Sequence, residues 1–489
     1  MNYEFFLSKE DHRSYSLLKY LEASSNLSES ISNVQEELSL STFLLKKTID
    51  KLKHDLQKFD LEKNLRVTVS ELDICLEING KCSSKALLSR YITDSLSMKM
   101  VLAFFQEKYI SVENFAKQHH VSYSVAYKVL QRLKRNLKKY QIFFEKRKLT
   151  GNPKNIRLFL YNLFNSTEIS FVELYTLPII IKTEKMLKDL KQYYPLSAYE
   201  KKKLFHFLAI NLLAEQADSL DIASNQSLFF SDIGFYHLKG ILGEKSVIFI
   251  NKTLSWLYLH DKLDQKYLRK NEDETIEWLN ERFIESFENQ FNLLREETSQ
   301  LIRRELTKIH FKLLHYTINK ADEFPLDVSF FRENYPAFYC YLIEYINDLT
   351  SKRKELLQDK FFLFFSYLLL LINHIPIQLI SEPVKIIIDF SYGAAYNQFI
   401  KKNLSLYINL NTEVIEAGKP EFPDVIITNR NNLYEESASQ VVVWLDPPRA
   451  VDWGNLTKIL LTIQEEKYKD SKIDKQIDDF PEEIIDRIE

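Results

Sequence analysis

The chain has 489 residues, 45% of them apolar and 27% charged, with a formal net charge of −3. That is enough apolar material for several cores, or about three to five domains, which excludes a globally disordered chain. Cys75, Cys82 and Cys340 share no repeating spacing, which excludes a disulfide framework or zinc finger, and only 8 glycines argue against an α/β enzyme built on phosphate-binding loops, because glycine alone accepts positive φ cheaply.

The first residues, MNYEFFLSKEDHRSY, lack a basic stretch followed by an apolar one, so no signal peptide is expected. Two later stretches share one design. In Ser30–Leu56, Val34 and Leu38 form a short apolar stripe, a turn follows at Ser39–Leu40, and Ser41 is placed to cap a helix. Leu45, Ile49, Leu52 and Leu56 then recur at helical spacing. In Ser111–Leu137, Phe115 and Ala116 precede a turn at His120–Val121. Ser122 caps, and Ala126, Leu130, Leu133 and Leu137 form the stripe. Both read as helix-turn-helix units. Strand-like segments follow each: RVTVS and DICLEI (66–78) after the first, and QIFFEK and NIRLFLY around a turn at Gly151–Pro153 after the second. Tandem winged helices are the expectation.

Charge is distributed unevenly. Residues 128–157 hold eleven bases against the single acid Glu145, whereas 465–489 hold ten acids against five bases. A basic surface for a polyanion and an acidic tail after Tyr468, expected to be mobile, follow from this. From Ile169 to about Pro376 apolar residues recur at helical spacing, predicting two bundles divided near Asn289. The longest apolar run, FFLFFSYLLLLI (361–372), is too short for a bilayer and reads as a buried helix. A cytoplasmic protein is expected. From Pro383, VKIIIDF, LSLYINL, DVIITN and VVVWLD read as strands. AAYNQFIKKN and WGNLTKILLTIQEEKY read as helices, giving a small parallel α/β end.

This order resembles the Mga-like and AtxA-like global virulence regulators of Gram-positive bacteria over essentially the whole chain. The most specific stretch is SVAYKVLQRLKRNLKKYQIFFEKRKLTGNPKNIRLFLYNLF. The resemblance implies a mainly α, multidomain fold. It comprises a first winged helix-turn-helix domain (1–90), a second of Mga type (91–167), two phosphotransferase-system regulation domains (168–288 and 289–381) and an EIIB-like α/β domain with the acidic tail (382–489). The function implied is transcription activation on promoter double-stranded DNA, tuned by histidine phosphorylation. The implied partners are the phosphotransferase system's histidine phosphocarrier, a second copy of the chain and, at the promoter, RNA polymerase.

Tyr123, Ser124, Tyr127 and Lys128 lie off the apolar stripe near the start of the second recognition helix, where side chains reach base edges. Arg132, Lys134 and Arg135 suit phosphate. Thr42, Phe43, Lys46 and Lys47 occupy the matching places in the first unit. Any one of these lysines is, on its own, an ordinary solvated residue; the concentration of charge is what points to DNA. For the regulation domains the resemblance implies a phosphoryl-accepting histidine. His206 fits the first bundle by position, and His310, His315 and His374 compete in the second. An EIIB phosphocarrier uses a cysteine after its first strand. Here that strand is followed by Asp389-Phe390-Ser391-Tyr392-Gly393, and no cysteine follows Cys340. A surface for self-association is therefore expected there instead. With no P-loop, HExxH, GxSxG or EF-hand loop, no catalytic residue, cofactor or metal site is expected. Two rival readings are a phosphotransferase-system adaptor, which would not bind duplex DNA, and an RNA-binding antiterminator, which would need a small β-rich N-terminus.

Overall fold

The computed structural model describes residues 3–473 apart from 25, 81, 218–229, 264, 270–272, 294, 318–328, 409, 417–421, 431–439 and 445–446. It is mainly helical and falls into two compact units, Met1–Asp273 with Leu314–Asp322, and Glu274–Leu313 with Glu323–Glu489.

The first unit opens with α1 (Lys9–Ala23), β1 (Ser28–Ser30), α2 (Ile31–Glu37), α3 (Thr42–Lys58), β2 (Leu65–Val69) and β3 (Asp73–Ile78). The strands form an antiparallel sheet in the order β1-β3-β2, with Val67 opposite Leu76. Next come α4 (Ser84–Asp94), α5 (Leu96–Phe105), α6 (Val112–Gln118), α7 (Tyr123–Lys138) and the hairpin of β4 (Ile142–Glu145) and β5 (Lys148–Gly151). Helices α8 (Pro153–Asn165), α9 (Phe171–Leu174), α10 (Leu177–Lys191), α11 (Ala198–Gln216), α12 (Asp232–Leu242) and α13 (Val247–Leu259) complete it. Serine starts many of these helices. Ser8, Ser30, Ser41, Ser95, Ser111, Ser122 and Ser197 each accept a hydrogen bond from the backbone N–H three residues on, satisfying a donor the helix cannot.

The second unit contains α14 (Glu274–Phe291), α15 (Glu296–Tyr316, its last three residues counting with the first unit), α16 (Ser329–Asn334), α17 (Pro336–Lys352) and α18 (Lys360–His374). Phe283, Phe287, Tyr341, Tyr345 and Tyr367 form an aromatic core, with contacting ring centroids 4.6–6.5 Å apart. Then follow β6 (Val384–Asp389), α19 (Ala394–Tyr407), β7 (Thr412–Val414), β8 (Val425–Thr428), β9 (Gln440–Val443) and α20 (Ala450–Ile473). The sheet is wholly parallel, in the order β7-β6-β8-β9. On one face Val384, Ile386 and Ile388 pack with Leu456 and Leu460 of α20. On the other Ile387 meets Ile415 and Ile426. A strand buried on both faces is why Ile386, Ile387 and Ile388 are apolar without alternation.

Several expectations are corrected. NIRLFLY is not the wing's second strand but part of α8; KLTG (148–151) takes the strand's place. Ile156, Leu158 and Leu160 alternate as in a strand, but the Asn152 side chain caps the backbone N–H of Asn155 and Pro153 supplies a fixed φ at the first helical turn. LSLYINL is not a strand either. Leu404 prolongs the buried stripe begun by Ile400, so Leu404–Tyr407 close α19. The divisions expected at 90/91 and near Asn289 fall inside α4 and α14, whose backbone ladders run across them. From residue 474 the acidic tail lies outside the described residues. Among the described residues, no helix is long and apolar enough to cross a membrane.

Candidate nucleic-acid interface

The second helix-turn-helix is α6, a turn with His120 at φ +54°, and α7. Ser122 starts α7 by accepting from the N–H of Val125. Ala126, Val129, Leu130, Leu133 and Leu137 are buried, and α6 contributes Phe115 and Ala116. That burial fixes which side of α7 faces water. Tyr123 is 50% and Tyr127 45% exposed, and their rings stack at 5.9 Å, one turn apart. Ser124, Lys128, Lys134, Arg135 and Lys138 share the solvent side. The structure thus brings together Tyr123, Ser124, Tyr127, Lys128, Lys134 and Arg135 on one helix.

The hairpin after α7 supplies a feature missing from the candidate residues. Its tip is Lys146-Arg147, with Lys146 at φ +49° and Lys148 paired to Glu145, and Lys146, Arg147 and Lys148 are all exposed. The hairpin closes at Gly151, at φ +118°, where a Cβ would lie 2.0 Å from the Gln141 carbonyl oxygen, so only glycine fits. The sequence signal for the tip was present: three consecutive bases between two short alternating segments.

Not all of the positive charge serves this face, and Arg132 is the correction. Its guanidinium donates to the carbonyls of Leu7 (2.6 Å) and Phe6 (3.3 Å) and to Ser97 Oγ (2.9 Å). It clamps the N-terminal segment and α5 to α7, and is not placed to meet phosphate. Lys154 donates to the Leu314 carbonyl at 2.7 Å. Arg157 is largely buried, which lowers its pKa to about 10. Eight of the eleven bases remain at the surface: Lys128, Lys134, Arg135, Lys138, Lys139, Lys146, Arg147 and Lys148.

The first helix-turn-helix, α2 and α3, has the same form, with Ser39 at φ +50° in its turn. Phe43 is 79% exposed and Thr42, Lys46 and Lys47 also face solvent. Lys47, however, pairs with Glu10 of α1 at 3.0 Å, and Thr42 Oγ1 accepts from Gln35 Nε2 at 2.8 Å. Lys51 is held by Asp11 and Asp55. Charge here is mostly neutralised within the protein.

The four candidate histidines differ in their surroundings. His206 is fully buried on α11, its Nδ1 2.9 Å from the Tyr175 hydroxyl and its ring near Phe164 and Phe171. Burial, then the Lys202 charge, lowers its pKa to about 3. His310 is also fully buried, with its pKa lowered to about 3 by desolvation. Asn280 donates through Nδ2 to Thr307 Oγ1, so its Oδ1 accepts from His310 Nδ1 at 2.8 Å. Nε2 is then the acceptor for the Tyr367 hydroxyl at 2.6 Å. Both ring nitrogens of His310 are therefore committed. His315 has its pKa lowered to about 4, first by burial and then by Lys154. His374, at the end of α18, is half-buried.

Residues 80–164, from just before α4 to the end of α8, match the family model of the Mga helix-turn-helix domain. The match supports the Mga-like regulator family on the stretch that carries the stacked tyrosines and the basic hairpin. No curated protein matches the chain.

Proposed function

We propose that this chain, with its Mga-type helix-turn-helix domain, is a transcription regulator that lays α7 into the major groove of promoter DNA and its hairpin along the adjoining backbone. The carrying observation is the solvent side of α7 and the hairpin tip, where eight bases accompany one acid around an exposed pair of tyrosines. Cations there hold phosphate without reading sequence, and Tyr123, Ser124, Tyr127 and Lys128 supply groups for base edges. The first helix-turn-helix, with Thr42, Phe43, Lys46 and Lys47, makes a secondary contact because its charge is largely paired. The chain acts as an activator, as a dimer, and under phosphotransferase control through its histidines. His315 and His374 are half-buried, while His206 and His310, fully buried, require their bundles to open.

The test is duplex binding by the full chain across a salt series. Affinity should fall steeply, with a log–log slope of up to about −7 per protomer if all eight surface cations meet phosphate. A slope near zero, or a preference for single-stranded RNA, would overturn the reading.

A further inference from the structure

A cavity of about 150 Å³ lies in the second unit where the start of α17, the turn at Ile377–Leu379 and α20 meet. By the same measure one water needs roughly 10–15 Å³, so this is room for a small molecule and not for a nucleotide. Gln464 lines it. Along α20, Trp453, Leu456, Leu460 and Ile463 face the core, and Gln464, one turn after Leu460, continues that stripe. Its side chain is 2% exposed, and neither Oε1 nor Nε2 has a protein partner. An apolar residue would pack there at no such cost, since a buried polar atom left unpaired is unfavourable.

Two other polar residues of the wall, Lys467 and Ser381, are engaged. Lys467 pairs with Asp424 at 2.6 Å and donates to the Pro383 carbonyl at 3.0 Å, and Ser381 Oγ donates to the Ile377 carbonyl at 3.1 Å. The cationic charge is thus already neutralised, and the exposed Glu382 carboxylate repels anions. Pro336, Ala337, Ile377, Ile380 and the rings of Tyr335 and Tyr468 provide the rest of the surface.

We propose that this cavity binds a small neutral polyol of monosaccharide size. Gln464 offers one acceptor and one donor side by side, which vicinal hydroxyls match, one donating to Oε1 and the other accepting from Nε2. The carbon-bound faces of such a ring pack on Tyr335, Pro336 and Ile377. Because the wall draws on both the bundle and the α/β domain, occupancy ties these parts together and raises the stability of the folded chain. The inference is independent of DNA binding.

The experiment uses the full chain. Saturation-transfer NMR and thermal melting are recorded with glucose, mannose, fructose and myo-inositol, with lactamide as an uncharged amide control. At least one polyol should bind and raise the melting temperature, and Gln464→Leu should weaken that binding at least tenfold while the chain stays folded. Ala337→Phe, which fills the cavity from the start of α17, is the second variant and should abolish binding. Overturning results are no polyol binding to the wild type, binding unchanged in both variants, or binding of lactamide alone.

Discussion

Single residues divide the basic segment into two kinds of cation, and the division is measurable. Lys134 and Arg135 point to solvent, about two turns beyond Tyr127, whereas the Arg132 guanidinium is engaged by Leu7, Phe6 and Ser97. Changing Lys134 and Arg135 together to Ala should leave thermal stability nearly unchanged and flatten the salt slope of duplex binding by roughly two units. Arg132→Ala should do the reverse, costing on the order of 2–3 kcal/mol of stability because buried carbonyls lose a charged donor. A chemical-denaturation series beside the binding series separates the two. The buried histidines make a prediction about pH. In the folded chain His206 and His310 hold pKa values of about 3, below the ordinary 6.5. Between these values the unfolded chain binds more protons, so stability is full above about pH 6.5 and is lost as pH falls towards 3. His310→Gln, which keeps a donor and an acceptor near Asn280 and Tyr367, should melt with a shallower pH dependence over that window. An unchanged pH profile would mean that other groups govern acid unfolding.

At the scale of elements, the sequence was most legible where local chemistry and burial agree. Ser41 and Ser122 announce the recognition helices, and both stripes are buried as the spacing requires. The candidate base-reading residues were legible for the same reason: once the stripe is known, the opposite side is known. Arg132 was not, because its partners, Leu7 and Ser97, lie far away in sequence, and neither did the spacing show that Lys47 meets Glu10. The strand wrongly read in NIRLFLY marks a second limit: alternation over seven residues competes with a capping signal, and Asn152-Pro153 decides for the helix. The hairpin between α7 and α8 depends on Gly151. Gly151→Ala combines a left-handed φ with a clash against the Gln141 carbonyl, so the strand end must shift. Duplex affinity should fall about as far as it does when Lys146, Arg147 and Lys148 are all changed to Ala, while far-ultraviolet circular dichroism, dominated by helices, stays the same. Wild-type affinity in Gly151→Ala would show that the hairpin does not touch DNA.

Across the first unit, one element joins the second helix-turn-helix and its hairpin to the helices that follow. Helix α8 begins directly after the hairpin, with Asn155 Nδ2 donating to the Tyr140 carbonyl at 2.8 Å, and it packs along α11. Phe164 of α8 lies 6.0 Å from the His206 ring between centroids, and Tyr175, the hydrogen-bond partner of His206, also meets Phe164 edge-on. His206 and the base of the hairpin are thus joined through the single helix α8. A charge at position 206 has no low-cost solution in this wall of aromatic rings, since Lys202 is already committed to the Thr167 carbonyl and Lys203 lies over Tyr199. His206→Asp should therefore displace α8 and change duplex affinity at least threefold, although residue 206 is not part of the proposed DNA face. Phe164→Ala should loosen the contact that transmits the displacement. In the double variant the effect of His206→Asp on DNA binding should shrink by more than additivity allows, while both Asp-containing proteins remain destabilised. A full, additive effect of His206→Asp in the Phe164→Ala background would show that the signal travels by another route, and an effect on stability with none on DNA would confine His206 to the packing of its own bundle.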